Sequence, residues 1–414
     1  MGDWFREGYW CLKVKIAIVT FDFDTEHRGG ISSVSKNIIE SLIQEFNSQI
    51  EIISFSNSKY DLNSISFSRP KSYRNKITKS DGNYRSIPIT RIGSIGSEFE
   101  FLRYRRRKEL SNFFSGYDLI IVVTGILQFA NVIPKIKVPV IVQCATRLKW
   151  ERESQYSSMS RPKQFFLKIQ LPYLAFQERK VLNSNLTILV ENSKMKEWIA
   201  SKSSIRTEMW YPGAGAKVSK FTSISKPHRN GHFVSVGRLD ESRKGWNRLL
   251  LAYKQAFDMD AALPDLVIIG SGSFSVENQR LVDKLTPHYP IRILGKLSDH
   301  ERDSKIQSSS FFLQASFEEG LGLAALEALR YGVPLICSET DGSKEYVHDG
   351  VSGKLVSQGD HFVNRFAKVI NQSQAWDYEK LSVSSKNLFD SMFTEELSRQ
   401  RLLKIISVSL NRKF

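Results

Sequence analysis

The sequence predicts an α/β protein built from two doubly wound, Rossmann-like domains. Three observations carry that expectation. At 414 residues the chain exceeds what one hydrophobic core ordinarily organises. Between residues 232 and 356, short apolar runs alternate with segments of helical period, the pattern of a parallel sheet covered by helices on both faces. Residues 13–42 read as strand, glycine loop and helix, the opening unit of another such sheet.

In chain order, the strand at residues 13–20 leads to a loop with Arg28, Gly29 and Gly30, then to a helix with Val34, Ile38, Ile39 and Leu42 on one face. The loop lacks G-x-G-x-x-G spacing, so a plain tight turn and a phosphate-approaching turn both fit it. Residues 49–55 form a second strand, 56–83 read as loop, and 99–114 read as a helix bearing Arg103, Arg105, Arg106, Arg107 and Lys108. Unbroken apolar runs at 117–124 and 138–144 fit strands buried on both faces. Residues 145–181 then interleave Arg147, Lys149, Arg152, Arg161, Lys163 and Lys168 with Trp150, Phe165, Phe166 and Tyr173. An anionic lipid surface and a helix packed on its own domain satisfy that pattern equally. Residues 186–191 are expected as the last strand of the first domain, and the boundary falls near residue 210.

The second half alternates regularly, with strands expected at 232–236, 265–269, 291–294, 310–315, 334–338 and 353–356. In such sheets ligands bind beyond the carboxyl ends of the strands. Gly237 and Arg238 end the first of these strands, and Lys244 and Gly245 open a helix. Two cations so placed suit a diphosphate whose charge grows as a bond to it breaks. Further loops follow at Gly270 to Gly272 and at Gly295 to Ser298. The fourth joins the strand at 310–315 to a helix at 322–331 that stops at Gly332 with Pro334 beyond. Its glycines, Gly320 and Gly322, let backbone N–H groups approach a ligand, and the helix start favours an anion. Glu319 precedes that helix, and Glu327, on the face of Leu323, leans back toward the loop. Carboxylates accept hydrogen bonds from hydroxyl groups, so a ligand carrying both phosphate and sugar fits.

Together Glu319, Glu327, Gly320, Gly322, Gly332, Pro334, Gly342, Glu345, Gly350 and Gly353 resemble the retaining glycosyltransferases of family four, the group 1 enzymes that include glycogen synthases and mannosyltransferases. The two glutamates have that family's spacing. The resemblance is dense over residues 230–356 and implies a GT-B fold, two domains facing each other across a cleft. It assigns residues 1–210 to the acceptor and 211–394 to the nucleotide sugar, with a helix within 395–414 crossing back onto the first domain.

By the same resemblance Glu327 holds the ribose hydroxyls, Glu319 the donor sugar, and Arg238 and Lys244 the diphosphate, while Gly29 and Gly30 approach the phosphates from the opposite domain. Gly237, Gly270, Gly272, Lys296, Leu297, Gly320, Leu321, Gly322 and Leu323 line the donor. Arg147 stands near the place of a family histidine beside the transferred sugar, as its substitute. The implied reaction is retaining transfer of a hexose-type unit by front-face displacement, the leaving phosphate helping to deprotonate the acceptor, so Glu319 is not a nucleophile. A nucleotide-sugar epimerase of the same fold and a catalytically silent homologue remain alternatives.

The net charge is +16 at pH 7, which calls for an anionic partner. Neither zinc-finger spacing nor an RNP-like motif is present, so nucleic acid is not expected. An anionic membrane face and a glycan or lipid-linked acceptor are. Residues 1–10 lack the apolar core of a signal peptide, and Cys11, Cys144 and Cys337 are too scattered for a disulfide framework or zinc site, in keeping with a cytoplasmic protein, peripheral on the inner face of the membrane. Asp22 and Asp24 read as a loop feature, so no metal and no cofactor beyond the donor are expected.

Overall fold

The computed structural model describes residues 14–23, 30–46, 50–56, 61, 64–74, 79–96, 98–156, 159–213 and 229–411. Cys11, Asp24, Arg28 and Gly29 lie outside them, as do residues 1–10 and 219–228.

The first sheet contains β1 (Ile16–Phe21), β2 (Ile50–Phe55), β3 (Lys79–Tyr84), β4 (Ile87–Ile92), β5 (Leu119–Thr124), β6 (Val140–Cys144), β7 (Thr187–Val190) and β8 (Arg206–Met209), in the order β3-β4-β2-β1-β5-β6-β7-β8. Only β3 runs antiparallel to its neighbour. Its helices are α1 (Gly30–Phe46), α2 (Glu100–Arg103), α3 (Ser111–Phe114), α4 (Leu148–Gln155), α5 (Arg161–Leu182) and α6 (Ser193–Ala200). The central strand β1 shows why its sequence is apolar throughout. Ile16 and Ile18 pack with Val34, Ile38, Ile39 and Leu42 of α1, while Ala17 and Val19 join Phe114, Phe129 and Leu174 on the other face.

The second sheet contains β9 (Phe233–Val236), β10 (Leu266–Ile269), β11 (Ile291–Gly295), β12 (Phe311–Gln314), β13 (Leu335–Ser338) and β14 (Gly353–Val356), all parallel in the order β11-β10-β9-β12-β13-β14. It alternates with α7 (Trp246–Met259), α8 (Val276–Leu285), α9 (Asp299–Gln307), α10 (Leu323–Arg330), α11 (Phe362–Ser373) and α12 (Tyr378–Met392). Phe233 meets Leu249, Leu250 and Tyr253 of α7, and Phe312 meets Leu326 and Leu329 of α10. The α/β architecture with two doubly wound sheets is the one expected. The last helix, α13 (Glu395–Asn411), sends Leu402, Ile405 and Ile406 into the cluster that holds Ile16 and Trp210, and the Trp210 Nε1–H donates to the Ser398 carbonyl at 3.0 Å.

Three expectations fail at the rim of the first sheet. The end of the presumed loop is β3, and β4 and β8 add two unforeseen strands, β8 lying beyond the strand expected to be last. Edge strands such as KSDGNY and RTEM need no apolar period, because much of their surface stays in water. The helix expected over 99–114 breaks into α2, a short turn at Lys108–Leu110, and α3. Like charges at helical spacing disfavour a continuous helix there. Arg107 instead turns inward, donating from Nη1 to the Gly93 carbonyl at 3.0 Å with its guanidinium over the Phe55 ring.

Candidate active site

The site forms where the carboxyl ends of β9 to β12 meet those of β6 and β7 across the two sheets. Lys244 closes a short turn, Ser242–Lys244, that Gly245 joins to α7. Its Nζ donates to Glu319 Oε1 at 2.7 Å, and the Ser316 hydroxyl donates to the same oxygen at 2.6 Å. Glu319 is buried, which by itself would raise its carboxyl, but the charges of Lys244 and Arg243 outweigh burial and hold it below the ordinary carboxylate range. Arg238 faces outward at the end of β9, donating from Nη2 to Asp240 Oδ2 at 2.7 Å.

Gly322, left-handed at φ +93°, starts α10, and a Cβ there would lie 2.5 Å from the buried Tyr346 hydroxyl, so the loop can take only glycine without strain. The first-turn N–H groups of α10, at Leu323 and Ala324, lack helical acceptors and suit an anion. Glu327 stands in the second turn with Arg302 Nη2 3.5 Å away, and burial pushes its carboxyl up to about 7 against the pull of Arg302.

Gly237 follows β9 and Gly270 and Gly272 follow β10; Gly237 and Gly270 abut each other, and Gly272 abuts the Asp240 side chain. A Cβ on Gly270 would strike the Gly237 carbonyl oxygen at 1.8 Å. Lys296, exposed, and Leu297, packed on the second core, follow β11. Gly320 and Leu321 are buried, and Gly320 abuts Ala145 of the first domain. Gly30 is the exposed first residue of α1, open enough for a Cβ to meet nothing within 4 Å.

Arg147 is directed elsewhere. Its Nη2 donates to Glu178 at 2.9 Å, and its guanidinium lies 4.4 Å over the Trp198 ring, both within the first domain. The residues that meet the glutamate loop after β6 are Ala145 and Thr146 rather than Arg147.

The structure adds four residues that sequence reading missed. Arg243 links the acids, donating from Nη1 to Glu318 Oε2 at 3.3 Å and lying 3.8 Å from Glu319 Oε2. Glu318 is buried between the domains, and burial pushes it up to about 7 although Arg243 and the Thr146 hydroxyl oppose the shift. Arg248 holds the loop backbone, donating to the Ala315 and Ser316 carbonyls while stacked between the Phe317 and Phe362 rings. Asn192 caps α6 and clamps the cleft, its Nδ2 donating to the Ala145 carbonyl at 3.0 Å and to the Gly320 carbonyl at 2.8 Å. The first two had a signal in the run Glu241 to Lys244 and the acid pair Glu318 and Glu319. Arg248 had one as a cation on the apolar face of α7. Asn192 had only its place as a helix cap.

Among the described residues no group of three His, Cys, Asp or Glu side chains could hold a metal ion. No helix there is long and apolar enough to cross a membrane.

Comparison with known proteins bears on the fold. Phosphatidyl-myo-inositol mannosyltransferase of Mycobacterium leprae (strain TN) is 29% identical over 126 residues, 30% of this chain and 33% of that protein. The curated relatives are matched over only 19–38% of their own lengths. Sucrose-phosphate synthase from Thermosynechococcus elongatus shares the fold over 95% of this chain and 98% of its own, with a TM-score of 0.65 at 17% identity. A pneumococcal O-GlcNAc transferase solved with UDP and GlcNAc does so over 96% and 99%, with a TM-score of 0.60 at 13% identity. The whole chain thus has the GT-B fold, and residues 219–386 match the family described as glycosyl transferases group 1, so its second domain is a group 1 glycosyl transferase domain.

Proposed function

We propose that the protein is a retaining glycosyltransferase that moves a hexose-type unit from a nucleoside diphosphate sugar to a glycan or lipid-linked acceptor. The observation that carries this reading is the constellation of Lys244, Arg243 and Glu319 beside the start of α10, with Arg238 at the neighbouring strand end. Arg238 and Lys244 neutralise the diphosphate as its charge grows, the role a metal ion fills elsewhere, and the reaction is metal-independent. Glu327 accepts hydrogen bonds from the ribose and Glu319 from the donor sugar. Glu319 is already engaged by Lys244 and Ser316, an arrangement suited to orienting a sugar and not to attacking it. The acceptor hydroxyl then attacks on the face the phosphate leaves, and that phosphate takes its proton. Residues 1–210 with the terminal helix receive the acceptor, and residues 211–394 hold the donor. The site of action is the cytoplasmic face of a membrane, supported by the charge of +16. UDP in the pneumococcal neighbour makes uridine donors the first to try.

The test is a panel of nucleotide sugars screened by thermal shift, where a ligand at a hundred times its Kd stabilises by about 2.7 kcal/mol. Turnover of the best binder then gives the product anomer by NMR. An inverted anomer overturns retention, a free-sugar product without acceptor points to an epimerase, and activity lost in EDTA and restored by manganese overturns metal independence.

A further inference from the structure

Helix α5 carries apolar residues on both faces, with Leu174, Val181 and Leu182 in the core. It buries Gln170, Gln177 and Glu178 and exposes Phe165, Phe166, Ile169, Tyr173 and Phe176, with Phe165 and Ile169 67% and 62% accessible. The exposed five recur at helical spacing along one face. Neighbouring rings extend the patch: Phe166 lies 5.7 Å from Phe99, and Phe99 lies 5.8 Å from the exposed Phe67. A continuous apolar surface of this kind marks a docking face.

Beside it opens a hollow of about 410 Å³, lined by Arg105, Arg106, Lys108, Lys180, Asn131 and Tyr173. Tyr173 belongs to both features. The acid at the rim, Glu109, is taken up by Arg107, and the Nε of Arg106 is buried with no hydrogen-bond partner among the described residues. The hollow follows the carboxyl ends of β4 and β5, the end of the sheet where α/β folds bind ligands.

An apolar stripe joined to a basic cavity matches an amphiphile, one with an anionic head and a hydrocarbon tail. We propose that the hollow binds the phosphate of an anionic membrane lipid while the α5 stripe lies among the acyl chains. This rests on the membrane reading above and gives it a residue-level site. A second copy of this chain is the poorer occupant, because two strongly cationic faces would repel. Cations around an apolar face are also the composition that holds interfacial helices on anionic bilayers.

Flotation of the full chain tests the proposal, on vesicles of phosphatidylcholine alone or mixed with phosphatidic acid. Two variants separate the parts: Phe165→Ser/Ile169→Ser/Phe176→Ser for the stripe, and Arg105→Ser/Arg106→Ser/Lys108→Ser for the hollow. The cation variant should bind mixed vesicles about a hundredfold more weakly and neutral ones unchanged. The stripe variant should lose binding to both. Thermal melts matching the wild type would show that both variants remain folded.

Flotation unaffected by the stripe variant overturns the proposal. So does a stripe variant that turns a dimer into a monomer, or inorganic phosphate that binds as tightly as short-chain phosphatidic acid, which would assign the hollow to a free solute. Donor binding measured without vesicles is independent of all these. Its failure with flotation intact would remove the transfer reading and leave the lipid site standing.

Discussion

Helices α10 and α5 differ in what they bury and what they expose. In α10, Ala325, Leu326, Ala328 and Leu329 are buried and build the core, while Glu327 is partly exposed beside Arg302. In α5, Gln170, Gln177 and Glu178 are inside beside Leu174, Val181 and Leu182, and an aromatic row faces outward. Buried acids divide similarly. Glu319 has Lys244 and Arg243 beside it and stays ionised, whereas Glu191, buried in the first domain, accepts from the Gln143 amide at 2.6 Å with no cation beside it among the described residues, and burial pushes it up to about 7. Around Glu319 the second domain sets buried charges of opposite sign against one another. The first leaves an acid without a cation and turns an apolar face outward.

The sharpest test of this contrast is in the second domain. Arg238→Ala and Lys244→Ala should each lower kcat by about a hundred- to a thousandfold, the loss of about 2.7 to 4 kcal/mol of transition-state stabilisation, with circular dichroism unchanged. Near-normal turnover in both would dissolve the cation assignment.

Glu191→Gln comes next. The unfolded carboxyl titrates near 4.3 and the folded one near 7, so the folded state keeps the extra proton between those values, and stability falls as pH rises across that window. Glutamine carries no charge, so the variant should be more stable than the wild type by about 1 to 3 kcal/mol above pH 7 and equal to it near pH 4. Urea melts at both pH values decide this.

Glu327 yields a pH effect of opposite use. Arg302, Arg330, Asp299 and Asp303 surround it, and the carboxyl titrates near 7. Ribose hydroxyls donate to the ionised form, so donor affinity should fall about tenfold from pH 8 to pH 6. Glu327→Gln should bind more weakly at pH 8 and show no such slope. A slope that persists in the variant would place the titrating group elsewhere.

The smallest effect is at Tyr346, whose buried hydroxyl has no hydrogen-bond partner among the described residues. Tyr346→Phe should leave turnover unchanged and stability the same or higher by about 1 kcal/mol. A loss of donor binding would show that this hydroxyl reaches the ligand.

Much of the second domain was legible in the amino-acid order, because its signals are local. An apolar run, then Glu319, Gly320 and Gly322, then an Ala and Leu segment stopped by Gly332 specify a strand, a loop and a helix within some twenty residues. The parallel alternation and the Glu319 to Glu327 spacing follow from the same stretch. What lay beyond reach depends on which groups burial brings together. Arg248 stacks between Phe317 and Phe362, and Asn192 reaches a carbonyl 128 positions away, contacts that no periodicity encodes. The rim strands β3 and β8 were hidden because an edge in water imposes no pattern on its residues. The run from 145 to 181 fitted two readings equally, since a helix repeats every 3.6 residues whichever face is inside. Only the tertiary contacts of α5 decided which face points out: Gln170 and Gln177 bond to the backbone of Glu100, Phe101 and Tyr104, Glu178 pairs with Arg147, and Phe165 and Ile169 are left in solvent.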